Sequence, residues 1–199
     1  MTNQAECLRH DDHHDEAAEA FAEAVDSLHQ AALGSPEDRS RRAILLERQA
    51  HCEHAAGRYD AAADTRAEAV ALRRESRGAF RPAELANALT EFAISCEEAR
   101  RLPDALAAAN EAVNIYGELY FPSPGRNWRD VARALVTCGR ILVLLEKPVE
   151  AVAPFVNAIT LARQAGDQQF ASACKAGLQI ALDMDPARAD AELRRFLGI

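Results

Sequence analysis

The sequence predicts an all-α protein, and three observations lead to that prediction. Alanine, the strongest helix former, accounts for 43 of the 199 residues. Aromatic residues, which favour strands, make up only 6% of the chain. Apolar residues recur at i, i+3 or i+4, and i+7, which is the spacing of a helix with one buried face. The expected structure is therefore a set of packed helices without strands.

A repeated segment organises these helices into units. Ala24, Ala69, Ala112 and Ala158 lie 45, 43 and 46 residues apart, and each stands in a similar acidic and alanine-rich segment. A shorter copy of the segment follows Pro186. A period of this length is typical of arrays of small helical repeats.

Glycine and proline mark the turns within each predicted unit, which consists of a helix, a tight turn and a second helix. Gly57, Pro103, Pro148 and Pro186 fall at these turns, and proline suits the first turn of a helix because its missing N–H has no helical partner there. The sequence predicts one repeat domain over 1–199, with units at 1–34, 37–78, 82–121, 127–165 and 167–197. Residues 1–10 leave no room for a full first helix, so they are expected to form a stub or a cap.

Small residues recur at the positions where two helices of a repeat would approach each other closely. These positions hold Ala50, Ala93, Gly139 and Gly177 in the first helices, and Ala62 with Ala69, Ala105 with Ala112 and Ala151 with Ala158 in the second helices. A bulky residue stands between the paired alanines as Phe21, Phe155 or Leu193, whereas Arg66 and Ala109 replace it in two units. The pattern resembles the longer-period type of the tetratricopeptide repeat (TPR) family, with a period of about 42 residues.

The resemblance implies a right-handed α-solenoid of about four and a half helix–turn–helix units. It also implies that the first helices line a concave groove and carry the contacts to a partner. The polar residues expected to line this groove are Glu47, Arg48, His51, His54, Asn87, Thr90, Glu91, Glu97, Arg133, Thr137, Arg140 and Lys175. The same positions are also compatible with solvated helix faces.

The function expected from these features is that of a non-catalytic adaptor or scaffold that binds a protein or peptide in the groove. The sequence contains no glycine-rich phosphate loop, no nucleophile elbow and no zinc-protease motif, so we expect neither an enzyme nor a cofactor. An alternative is a regulatory sensor module that binds a signal peptide or small ligand and changes its curvature.

The charge distribution bears on the kind of partner. Residues 1–38 hold ten acidic residues and one basic residue, a net charge of −9, whereas the remaining residues carry a net charge of +1. Nucleic acid is not expected as a partner, because phosphate binding requires a basic surface. The acidic end is expected to steer a basic partner instead.

Histidines near the start of the chain suggest a second alternative, a metal-binding or enzymatic accessory protein. His10, His13 and His14 lie close to Asp11 and Asp15, and on a helix His10 and His14 would share one face. The simpler interpretation is the solvated, acidic first turn of a helix.

The five cysteines are widely spaced and odd in number, which indicates free thiols in a reducing cytoplasm. The excess of arginine over lysine is compatible with a bacterial source. No membrane span is expected, because charged residues interrupt every long apolar stretch. Residues 193–199 lack the polar character of a capping helix, so the sequence also suggests a homodimer through this end.

Aromatic residues cluster around 122–126, where two interpretations remain open. Tyr116, Tyr120, Phe121 and Trp128 are expected to staple one predicted unit to the next. Alternatively they form an exposed anchor for a partner, since Tyr and Trp are frequent in interface hot spots.

Overall fold

The computed structural model describes residues 5–6, 8–9, 13–31, 35–75, 81–120 and 127–198, and these residues contain helices and no strand. We number the helices in chain order. They are α1 (His14–Ala31), α2 (Pro36–Ala55), α3 (Tyr59–Glu75), α4 (Pro82–Glu98), α5 (Leu102–Tyr120), α6 (Trp128–Leu144), α7 (Pro148–Gln164), α8 (Gln168–Met184) and α9 (Pro186–Leu197). Residues 5, 6, 8 and 9 are also helical. The predicted all-α class is confirmed.

Left-handed backbone conformations terminate several of the helices. Gly57 follows α2 with a φ of 77°, and Gly166 follows α7 with the same value. Arg100 and Glu146 adopt φ values of 60° and 58° at the turns after α4 and α6. A residue in this conformation reverses the chain within a few residues, which is why consecutive helices can pack side by side.

Side-chain caps fix the starts of α2, α8 and α9. The backbone N–H of Asp38 donates to Ser35 Oγ over 3.1 Å, and Pro36 occupies the first turn of α2. Asp167 accepts from the backbone N–H of Phe170 in the same way at the start of α8. These caps satisfy backbone donors that have no partner within the helix.

The chain divides into two compact units, of which unit 1 is Met1–Arg101 and contains α1 to α4. Each of these helices packs against the next one along the chain, so that α3 contacts both α2 and α4. Phe21 of α1 is fully buried in an apolar cluster with Ala5 and Cys52. Ala5, with Leu8 packed nearby, therefore covers part of this core.

Unit 2 is Leu102–Ile199 and contains α5 to α9. Its helix α7 contacts α6, α8 and α9, and the side chain of Phe155 points from α7 towards glycines on two of these helices. A Cβ atom added at Gly139 would lie 2.9 Å from the Phe155 ring, and one added at Gly177 would lie 2.5 Å from it. The two glycines therefore make room for one aromatic ring, as the repeat pattern predicts.

No helix in the described part of the chain is long and apolar enough to span a membrane. The single repeat domain and its five repeat boundaries remain predictions.

Candidate functional site

Unit 1 carries a polar cleft formed by α2, α3, α4 and the side chains of Glu6 and Arg9. An inner cavity of about 150 Å³ is lined by Glu47, His51, Arg66, Ala69, Asn87, Ala88 and Glu91. An outer cavity of about 460 Å³ is lined by Glu6, Arg9, Ile44, Glu47, Arg48 and His51. Glu47 and His51 belong to both linings, so the two cavities adjoin along α2. We call them together the polar cleft.

Arg66 supplies a buried positive charge at the inner cavity. Its side chain is only 6% exposed, and Nη1 lies 3.3 Å from Glu91 Oε2 on α4. The same nitrogen also donates to the backbone carbonyl oxygen of Glu91. A desolvated guanidinium is tolerated when it is paired and hydrogen-bonded in this manner, so the two contacts hold Arg66 in place between α3 and α4.

Arg73, seven residues after Arg66 on α3, forms a second buried ion pair. Its Nε donates to Glu47 Oε1 over 2.5 Å, and its Nη2 donates to Glu47 Oε2 over 2.8 Å. Glu84 of α4 approaches the same guanidinium, with Oε2 3.5 Å from Nη1. The bidentate geometry fixes the carboxylate of Glu47 in one orientation at the wall of the cleft.

The outer cavity is held by contacts to Glu6. Arg9 Nε donates to Glu6 Oε2 over 3.0 Å, and Arg48 of α2 pairs with the other carboxylate oxygen. Ile44 adds an apolar surface that is 40% exposed. The outer cavity thus combines paired charges with one accessible hydrophobic side chain.

His54 lies on α2, one turn beyond His51, in a more enclosed environment. Burial lowers the pKa of His54, and the neighbouring positive charge of Arg66 lowers this pKa further. Its ring meets Tyr59 edge to face at 5.2 Å, and its Nδ1 atom is buried without a hydrogen-bond partner. This environment therefore favours the neutral imidazole over its charged form.

Solved structures similar to this one include that of a putative kinesin light chain from Podosopora anserina, described as having nearly identical TPR-like repeats. It shares 14% sequence identity, covers 98% of this chain and 92% of its own, and has a TM-score of 0.73. The chain has a TPR-like repeat fold.

Two further structures agree with this assignment. A variant of the same Podosopora anserina protein has a TM-score of 0.73 at 15% identity, covering 99% of this chain and 91% of its own. BtubC (BKLC) from P. vanneervenii has a TM-score of 0.54 at 18% identity, covering 91% and 78%. No family model and no curated protein matches the sequence. The predicted resemblance to TPR proteins is confirmed at the level of the fold.

The TPR-like fold brings five of the predicted groove residues together in the polar cleft. Arg48 and His51 of α2 line it from one side, while Asn87 and Glu91 of α4 line the inner cavity. Glu47 of α2, which was also expected in the groove, lines both cavities.

Other predicted groove residues of unit 1 lie away from the cleft. Thr90 is fully buried and its hydroxyl donates to the backbone carbonyl of Ala86, so it packs within the helices and does not face an open surface. Glu97 is also buried. His54 is half-buried beside Tyr59 and does not line either cavity.

The predicted groove residues of unit 2 lie on α6 and α8. Thr137 is 2% exposed and therefore belongs to the packed interior of unit 2. Arg133 is half-buried, whereas Arg140 and Lys175 are exposed. Among these residues only the arginines and the lysine present charge to solvent.

Three residues that form the ion pairs at the polar cleft were not expected there from the sequence, namely Arg66, Arg73 and Glu84. The TPR pattern assigns ligand contacts to first helices, and two of these residues lie on the second helix α3. A signal was nevertheless present, because Arg66 stands where other units carry a bulky apolar residue. Arg73 follows seven residues later and so falls on the same face of α3.

The metal-binding alternative depends largely on residues that the structure does not describe. His10 and Asp11 lie outside the described residues. His13 is exposed, with Nδ1 3.6 Å from Glu16 Oε1, and His14 is half-buried at the start of α1. The described part of the chain contains no group of three His, Cys, Asp or Glu residues that could hold a metal ion.

The aromatic cluster is described in part. Tyr116 is 1% exposed, and Trp128 packs edge to face on Phe170 of α8 at 5.9 Å. Arg129 covers the Trp128 ring and also pairs with Asp167. Trp128 thus ties α6 to α8 within unit 2, while the Tyr120 side chain and Phe121 lie outside the described residues.

Proposed function

We propose that this protein is a non-catalytic scaffold or adaptor that binds a protein or peptide segment in the polar cleft of unit 1. One observation carries the proposal: the cleft is an open, polar surface whose walls are held in fixed positions by buried ion pairs. The TPR-like fold supports a general role as a repeat scaffold or in protein interaction.

The buried arginines give the cleft its rigidity. Arg66 and Arg73 are inaccessible at 6% and 7% exposure, so they anchor the carboxylates of Glu91 and Glu47 from behind. A wall that is already ordered loses less conformational entropy when a partner binds. The same ordering would be of little use on a surface that only faces water.

A photo-crosslinking experiment tests this proposal. The photo-reactive residue p-benzoylphenylalanine is placed at His51, which lines both cavities, and at exposed Glu118 of α5 as a matched control. We expect a distinct crosslinked partner from the position in the cleft and none from the control. Identical products from both positions, or none from the cleft, would contradict the proposal.

The contribution of unit 2 is tested separately with two arginines of α6, of which Arg133 is half-buried and Arg140 is exposed. Arg133→Glu and Arg140→Glu reverse two predicted contacts. If both variants retain the crosslinked partner of the cleft at unchanged yield, α6 does not take part in binding.

The remaining expectations belong to the same proposal. We place the protein in a bacterial cytoplasm, without a cofactor or a nucleic acid or membrane partner. The homodimer through the C-terminal end also stays a prediction, and there Ile180, Met184, Phe196 and Leu197 are exposed. Sedimentation that shows a strict monomer at high micromolar concentration would refute it. The sensor and metal-binding alternatives remain predictions from the sequence.

A further inference from the structure

We infer that the segment held in the polar cleft is basic, and that one of its Arg or Lys side chains lies between Glu47 and Glu91. The inference rests on the proposed function and adds the chemistry of the partner. Three observations support it: the glutamates at the inner cavity are more exposed than the arginines, unit 1 has a negative net charge, and apolar side chains line the cavities.

The arginines and the glutamates at the inner cavity differ in how far their side chains are exposed. The side chains of Arg66 and Arg73 are 6% and 7% exposed, whereas those of Glu47, Glu84 and Glu91 are 33%, 46% and 32% exposed. The glutamate side chains are therefore more accessible than the two arginines, so a visiting group reaches the glutamates more readily than the guanidinium groups. A carboxylate offers about four acceptor sites, so Glu47 can accept further hydrogen bonds while it holds Arg73.

The charge of unit 1 points in the same direction. Residues 1–101 contain 20 acidic and 13 basic residues, a net charge of −7 out of −8 for the whole chain. Helix α1 also exposes four carboxylates that its helical spacing aligns on one face, at Glu16, Glu19, Glu23 and Asp26. A negative surface of this kind attracts a basic segment and speeds its encounter with the cleft.

The apolar lining suits the hydrocarbon part of a basic side chain. Ala69 and Ala88 line the inner cavity beside the carboxylates, and Ile44 offers a partly exposed surface in the outer cavity. Arg and Lys bury their methylene stems on such surfaces while the charged group reaches polar atoms.

An acidic segment fits this arrangement poorly. The guanidinium groups that it would need are already bonded to Glu47 and Glu91, and Arg48 of the outer cavity is paired with Glu6. The segment would also bring like charges close to the exposed carboxylates, which is unfavourable.

A peptide selection tests the inference on the full chain. A displayed library of random dodecapeptides is selected on the protein, and we expect enrichment of Arg and Lys. For one selected peptide, each Arg is then replaced by citrulline, which keeps the shape but removes the charge. We expect binding about tenfold weaker after the decisive replacement, because a charge-assisted hydrogen bond is lost.

Variants of the protein locate the effect in the cleft. Asn87→Arg places a tethered guanidinium beside Glu91 and should compete with the peptide, weakening binding by about tenfold. Asn87→Gln changes the same exposed position without adding charge and should weaken binding much less than Asn87→Arg does. Glu75→Gln removes one exposed carboxylate of unit 1 outside the cleft and controls for the net charge.

The outcomes separate the two proposals. Enrichment of acidic peptides, or equal binding of the citrulline peptides, overturns the basic partner but leaves peptide binding in the cleft intact. Selected peptides that bind Asn87→Arg and Asn87→Gln equally overturn both the basic partner and the cleft as its site. If the selection yields no binder, the inference fails, and crosslinking at His51 decides separately whether the cleft binds a protein.

Discussion

The Phe155 ring of unit 2 provides the sharpest test of how the repeats pack. The ring is 1% exposed and meets Gly139 of α6 with one edge and Gly177 of α8 with the other. We consider Gly177→Ala, which adds a single methyl group. The new Cβ would lie 2.5 Å from Phe155 Cε1, so the ring must move. Movement away from Gly177 brings the opposite edge towards Gly139, where the space is also filled.

Two effects of opposite sign determine the result. Alanine is favoured over glycine within a helix by about 1 kcal/mol. Overpacking of a filled core costs about 1–3 kcal/mol. Since the Phe155 ring is confined on both sides, we take the upper part of that range, and Gly177→Ala should lower the free energy of unfolding by about 1–2 kcal/mol net.

Urea unfolding followed by circular dichroism measures the change. Gly117→Ala is the matched control, because a Cβ at Gly117 of α5 meets nothing within 4 Å. This control should gain about 1 kcal/mol from helix propensity alone. Phe155→Leu combined with Gly177→Ala should show less than additive destabilisation. Equal stabilisation by Gly177→Ala and Gly117→Ala would refute the reasoning.

Three further predictions concern buried polar groups. Glu47→Gln removes the charge that faces buried Arg73. The free energy of unfolding, measured with urea, should therefore fall by about 2 kcal/mol. The lowered pKa of His54 means that the unfolded chain takes up its proton at a higher pH than the folded chain. Stability should therefore fall as the pH drops below about 6.5, and His54→Gln should reduce that fall. Burial raises the pKa of the Cys138 and Cys174 thiols to about 11, so iodoacetamide at pH 8 should modify both much more slowly in the folded than in the unfolded protein, as followed by mass spectrometry.

Each of these predictions has its own control. Glu75→Gln, at an exposed residue, should change stability by no more than about 0.5 kcal/mol, and an equal loss in both glutamate variants would contradict the role of the ion pair. His13→Gln, also at an exposed position, is the control for the measurement of stability against pH. Rapid alkylation of folded Cys138 would show that its surroundings open readily.

The fold could be predicted because it depends on regular spacing. Small residues such as Ala69 and Gly177 occupy equivalent positions in successive repeats, where helices approach closely. The periodic pattern therefore reveals these positions. The turns at Gly57 and before Pro148 are local signals of the same kind. The left-handed conformation of Arg100 has no such signal, since arginine does not favour it.

The site could be predicted only in part. Arg48, His51, Asn87 and Glu91 were expected because they are polar residues on first helices, and the structure groups them in one cleft. Spacing alone did not separate exposed from buried polar positions, which is why Thr90 was expected to face the groove. The arginines of α3 were missed because their partners come from other helices, and only the three-dimensional packing joins them.

The bond from Arg66 to the backbone carbonyl of Glu91 has a consequence for the reversibility of binding. This carbonyl belongs to the main chain of α4, so it stays in place when the Glu91 side chain changes rotamer. A visiting cation can draw the carboxylate away without leaving the buried guanidinium wholly unsatisfied. If a basic segment binds as we propose, Arg66 therefore keeps this main-chain hydrogen bond throughout the exchange of partners.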